Sequence, residues 1–227
     1  KWRWENFFIV FDQAINDMLH KLDPHSRYIT ARSLKEEQES MQGSFGGIGV
    51  RFQLINDTIC VIKAMSNAPA FFAGVRSGDQ IIAINKKPFT GKKINTDQVM
   101  GSLKGEIDTD VEVTILRNKQ KKRIIIRRGE IPMETITTFC MLDKTTGYIR
   151  IDQFSVPTHD EFVIAADGLL NQGMKKMVLD LRGNPGGVMD AAILIADEFL
   201  PSGVNIVSTK GRNVENEVVR AKPGGIL

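Results

Sequence analysis

Three glycines within four positions, Gly46, Gly47 and Gly49, stand directly ahead of the alternating segment Val50-Arg51-Phe52. Residues without a Cβ let successive backbone N–H groups turn toward one point and form an anion-binding nest. A strand that starts at such a nest also offers an edge onto which an extended peptide can add, its terminal carboxylate held by the amides. A dinucleotide fingerprint is excluded, because these glycines lead into a strand rather than a helix and lack the required spacing. Taken alone the cluster has two readings, a carboxylate nest or a simple bulge. On the first, Gly47, Ile48, Gly49, Val50 and Phe52 form one wall of an apolar groove. The helix expected over Thr96–Lys104 forms the other, with Val99 and Leu103 facing Ile48 and Val50.

Composition excludes several classes. With 227 residues, 42% hydrophobic and 25% charged, the chain is an ordinary globular sequence rather than a disordered one. A net charge of +3 does not point to nucleic acid. The basic run Arg117 to Arg128 lacks interleaved aromatics and reads as a solvated hairpin. No run of about 18 apolar residues is present to span a bilayer. Cys60 and Cys140 allow one disulfide at most, and their apolar, strand-like surroundings predict buried free thiols. His20, His25 and His159 are scattered without metal-ligand spacing, and neither a metal nor a cofactor is expected.

Hydrophobic spacing divides the chain. Phe7, Phe8, Phe11, Ile15, Met18, Leu19 and Leu22 recur at helical steps until Asp23-Pro24 stops them. That aromatic-rich stripe, with Trp2 and Trp4 before it, packs on the chain's own body or serves as a partner interface. Ser33 to Met41 reads as a polar, solvated connecting helix. From Gly43 to about Lys121–Arg128 short strands and turns follow one another, with a short helix at Pro69–Gly74. After Pro132 come two strands, a helix near Asp160–Gln172, the strand Met177–Leu181, the loop Arg182–Gly187 and the helix Val188–Leu200. Strand, glycine loop and helix in that order mark an α/β unit.

The run Pro69 to Asn85 has the form Pro-Ala-x-x-Ala-Gly-Val-x-x-Gly-Asp-x-Ile-x-x-Ile-Asn. With Phe45-Gly46-Gly47-Ile48-Gly49-Val50, it resembles a bacterial-type PDZ domain over residues of about 44–130. The resemblance implies that the nest holds the C-terminal tail of a protein substrate. One departure stands at the end of the groove helix, where Leu103-Lys104-Gly105 replaces the Leu-Arg-Gly of many relatives. A coupling that needs a bidentate guanidinium is therefore in question.

The loop Arg182-Gly183-Asn184-Pro185-Gly186-Gly187 opens a helix, where backbone N–H groups stabilise negative charge on a phosphate or an oxyanion. No Gly-Lys-Ser/Thr follows, so it is not a Walker loop. Taken with Leu22-Asp23-Pro24-His25-Ser26-Arg27-Tyr28 and Gly147-Tyr148-Ile149-Arg150-Ile151, the whole chain resembles the C-terminal processing (tail-specific) serine peptidases. That resemblance implies an α+β chain: an N-terminal helical segment (1–42), a PDZ-like β-barrel or sandwich (43–130), and the first part of a ClpP/crotonase-like α/β peptidase core (131–227). It makes Gly186 and Gly187 candidates for the oxyanion hole, and Asp180, Arg182 and Asn184 shapers of the loop. It also implies a Ser/Lys dyad, the serine in a Gly-Ser-x-Ser stretch beyond the helix ending near Leu200. No such stretch occurs up to Leu227, so the expectation is a fragment that ends before its nucleophile and is inactive by itself. Ser102 with Lys104 and Ser208 with Lys210 are poor substitutes, because nothing places them at the glycine loop; His25 directly neighbours Ser26 in the Asp-Pro turn and needs no catalytic role. A homodimer through the N-terminal helix and an envelope, periplasmic or secreted location are further implications. The alternative from a different class is a non-catalytic module that binds tails.

Overall fold

The computed structural model describes residues 4–23, 26–91 and 94–227, so Trp2 and the Pro24-His25 turn lie outside the described residues, as do the side chains of Trp4, Phe7 and Phe8. Helix α1 (Trp4–Leu22) is followed by α2 (Ala31–Gln42). Thr30 caps α2 by accepting the Ser33 N–H at 3.1 Å, and Gly43 closes it at φ 72° in the left-handed region that favours glycine. Of the stripe expected to pack on the chain's own body or on a partner, the described members Phe11, Met18 and Leu22 are exposed, and Ile15 and Leu19 are half-buried. Met18 and Leu22 are 60% and 84% exposed. The polar helix α2 is largely exposed, as expected of a solvated connector, and one of its faces bridges two units. Glu39 pairs with Lys104 at 3.2 Å on one side, and Ser40 exchanges hydrogen bonds of 3.0 and 3.1 Å with Gln153 on the other.

The first unit comprises β1 (Ser44–Gly47), β2 (Val50–Ile55), β3 (Thr58–Ala64), α3 (Pro69–Phe72), β4 (Gln80–Ile84), β5 (Lys87–Pro88), α4 (Thr96–Leu103), β6 (Asp110–Arg117), β7 (Gln120–Arg127) and β8 (Gly129–Pro132). Its main sheet runs β2-β3-β4-β6-β7, with β5 on β4; β1 and β8 form a separate antiparallel pair. Three of its hairpins use two-residue turns with both φ positive: Asn56-Asp57, Asn85-Lys86 and Asn118-Lys119. That turn matches the right-handed twist of the strands it joins, and Asn tolerates it best after Gly. Alternation then decides the faces. Val111, Val113 and Ile115 on β6, with Ile59 and Ile81 on neighbouring strands, are fully buried in one core.

Two members of the basic run are not solvated. Arg117 holds the buried Asp79 through bonds of 2.6 and 2.7 Å and also donates to the Gly74 carbonyl. Burial alone would raise the Asp79 pKa, but hydrogen bonds from Arg117 and the Arg76 N–H outweigh it and hold the carboxyl below its ordinary value. Arg128 is buried beneath α4, where it serves as a C-terminal cap. It donates to the carbonyls of Ser102 and Leu103, each at 3.0 Å.

The second unit contains β9 (Ile136–Met141), β10 (Thr146–Ile151), α5 (Thr158–Leu170), β11 (Lys176–Asp180), α6 (Met189–Asp197) and the hairpin β12 (Asn205–Gly211) with β13 (Val214–Arg220). Strand order β11-β10-β9 makes β10 and β11 parallel, with α5 as their crossover and β9 antiparallel. Phe162, Ala166 and Leu169 of α5 close a second core over Ile149 and Ile151. Both cysteines are free, but the expected burial fails for Cys140, which is exposed on the edge strand β9; Cys60 is half-buried.

Candidate peptide-binding groove and glycine loop

Among the described residues strand β2 pairs only with β3, leaving its other edge open beside α4. The space between them is a groove of about 430 Å³. Its apolar wall comes from Ile48, Phe52, Met65, Met100, Leu103 and Ile131. Helix α4 is fixed at both ends: Asn95 and Gln98 form a reciprocal capping box, and Arg128 caps the other terminus. Close approach of that terminus to β1 requires glycine, because a Cβ on Gly46 would overlap the Gly105 carbonyl. Gly105 in turn donates its N–H to Gly46 O at 3.0 Å.

At the head of the groove the backbone carbonyls and amides of Ile48 and Gly49 are oriented differently. The carbonyls of Ile48 and Gly49 point away, accepting from Ala70 and Met65 N–H at 2.8 and 2.9 Å. The N–H groups of Ile48 and Gly49 donate to no protein atom among the described residues. Gly49 has φ 72°, and a Cβ there would overlap that of Ala68, so the turn admits only glycine without distortion. Gly47, Ile48, Gly49, Val50, Phe52 and Leu103 all line the groove. Val99 does not. It is fully buried in the core, one helical step below the wall, while Thr96 and Met100 take the position assigned to it. The Thr96–Met100 spacing of four was the available signal, obscured by the more apolar Val99–Leu103 pair. Lys104 lies 4.1 Å from the Phe45 ring centroid and pairs with Glu39.

In the second unit, β11 ends at Asp180, which is loaded with donors. Tyr148 Oη lies 2.5 Å from it, the Arg182 backbone N–H at 2.9 Å, and the Arg182 guanidinium at 2.7 Å. The Arg182 side-chain bonds, then Tyr148, hold the Asp180 carboxyl far below its ordinary range, while Asp180 raises Tyr148. A carboxylate so occupied is a poor proton acceptor and shapes the loop instead. Asn184 continues the lacing: its Nδ2 donates to Ile151 O at 2.9 Å and its Oδ1 accepts the Gly186 N–H at 2.7 Å. The Gly186 amide is therefore engaged internally. The Gly187 amide donates to no protein atom among the described residues, while its neighbours are tied to Phe154. Of the two candidate oxyanion donors, Gly187 is the one with a free hydrogen.

Residues 46–127 match the PDZ domain model and residues 145–226 match that of peptidase family S41. The chain joins a PDZ domain to an S41 peptidase segment. Over 215 residues it is 34% identical to the carboxy-terminal-processing protease of Bartonella bacilliformis, covering 93% of this chain and 49% of that protein. It is also 34% identical over 215 residues to the carboxy-terminal processing protease CtpA of Bacillus subtilis, covering 94% and 46%. A solved structure of a photosystem II D1 C-terminal processing protease aligns at 23% identity and a TM-score of 0.43, covering 92% of this chain and 58% of that one. The chain thus spans about half the length of the relatives it matches. Among the described residues no helix is long and apolar enough to cross a membrane, and no cluster of His, Cys, Asp or Glu is placed to hold a metal ion.

Proposed function

We propose that this PDZ–S41 segment recognises the free C-terminal tails of protein substrates and presents them for hydrolysis by a serine-type C-terminal processing endopeptidase. One observation carries the reading: two unengaged amides, on Ile48 and Gly49, stand at the head of an apolar groove whose strand edge is open. A tail would add to β2 as an antiparallel strand, its carboxylate on those amides and its last side chain among Met65, Met100 and Ile131. The Gly187 N–H is assigned to the oxyanion hole of the cleavage step, beside a Ser/Lys dyad of the kind the family resemblance implies. Functional boundaries are set at 1–42, 43–130 and 131–227. The exposed members of the α1 stripe, including Met18 and Leu22, are assigned to a homodimer contact. An extracytoplasmic location, in the envelope or secreted, fits a processor of protein tails.

The test is a backbone NMR titration of the 227-residue chain with a peptide ending in an apolar residue. The amide signals of Ile48 and Gly49 are expected to move farthest downfield, with Met100 and the open edge of β2 responding beside them. Shifts confined to surfaces away from this groove would refute the assignment.

A further inference from the structure

The groove carries a charge bias that its shape does not require. Among the described residues its charged lining residues are Arg51 and Lys104, both cations, with no Asp or Glu. Lys104 is occupied by Glu39 at 3.2 Å and by the Phe45 ring. Arg51 is held far more weakly. Its side chain is 66% exposed, and its one ion pair among the described residues is to Glu134 at 3.6 Å, itself 64% exposed. A pair that long and that wet constrains little. Directly across the β2–β3 ladder from Arg51 stands Lys63, also exposed. Like charges in register repel across a sheet, so two cations here cost something unless a carboxylate meets them.

Strand geometry says where that carboxylate would lie. Val50 and Phe52 pack against the core, so Arg51 projects from the opposite face of β2. A tail whose terminus sits on the Ile48 and Gly49 amides runs antiparallel to β2. Its last residue then lies across from Val50 and faces the groove, while its penultimate residue lies across from Arg51 and shares the cationic face. We propose that Arg51, with Lys63 beside it, makes the groove select tails bearing a carboxylate side chain at the penultimate position. The inference rests on the tail-binding reading above and adds a sequence preference to it.

The test measures affinities of the full 227-residue chain for three peptides that differ only in Glu, Gln or Lys at the penultimate position. Fluorescence polarisation at about 0.05 and 0.5 M salt separates a charge effect from a shape effect. Glu is expected to bind about two- to five-fold tighter than Gln, the range of one favourable cross-strand charge pair, and Lys weaker than Gln. High salt should compress the series, Arg51→Glu should invert it, and Lys63→Gln should narrow it. Equal affinities for the three tails, or an order that Arg51→Glu leaves intact, would overturn the selection while the groove reading stands. If the C-terminally amidated Glu peptide binds as tightly as the free acid, the groove reading fails and the selection falls with it.

Discussion

Replacing Arg128 by Met keeps most of the apolar stem and removes every donor from beneath the groove helix. The guanidinium makes four hydrogen bonds: to Leu103 O, Ser102 O and Thr109 Oγ1 at 3.0 Å, and to Asp110 O at 3.2 Å. Bonds with a charged donor contribute about 1.5–3 kcal/mol each, and a buried carbonyl left without a donor costs about 1–3 kcal/mol. The bonds share one residue and do not add, so two orphaned helix carbonyls set the scale, at roughly 3–4 kcal/mol. With a urea m-value of about 2 kcal/mol/M, the midpoint of the unit containing α4 should fall by about 1.5–2 M. Circular dichroism during urea unfolding reads the total, and hydrogen exchange at Met100 to Lys104 shows whether the loss is local to α4. Arg128→Lys should fall between, because a single ammonium cannot span both carbonyls in the fork geometry. A midpoint shift below about 0.25 M for Arg128→Met, or about 0.5 kcal/mol, would refute the capping argument.

Acid stability supplies a second check. Asp79 is held below its ordinary value of 3.8, so its pairing contributes fully above that pH and is lost as pH falls through the depressed folded-state value. Thermal unfolding should show this acid loss in the native chain and a flatter limb in Asp79→Asn, which starts from lower stability. The two loop glycines should separate sharply. A Cβ on Gly187 would overlap Phe154 O at φ 138°, whereas one on Gly186, at φ 98°, meets nothing within 4 Å. Gly186→Ala should therefore cost about 1–2 kcal/mol of backbone strain, and Gly187→Ala at least about 3 kcal/mol in urea unfolding. Maleimide should label Cys140 in the native chain well before the half-buried Cys60, with the difference abolished in denaturant.

Local pattern revealed whatever local physics decides. The alternation of Val111, Val113 and Ile115 gave β6 its buried face, and the glycines at 46, 47 and 49 stand where the chain turns into β2 at the groove. Misreadings arose where a distant partner decides. Arg117 and Arg128 look solvated in a basic run, yet Asp79 lies 38 residues from the first and Leu103 O 25 residues from the second. Val99 and Leu103 share a helix face, but periodicity cannot say whether that face meets a groove or a core. Here Val99 meets the core, and the adjoining row of Thr96 and Met100 meets the groove. Cys140 sits in an apolar-looking segment, and only the strand order shows that β9 is an edge. The choice between Gly186 and Gly187 turns on the Asn184 side chain, a contact that spacing alone does not specify.

The central claim is that the Ile48 and Gly49 amides hold a free carboxylate at the head of the groove. Calorimetric titration of one apolar-ended peptide, as the free acid and as the amide, tests it most directly. A hydrogen-bonded charge removed from a desolvated nest corresponds to about 1.5–3 kcal/mol, so the amide should bind at least ten-fold more weakly. Equal affinity for the two forms would contradict the account.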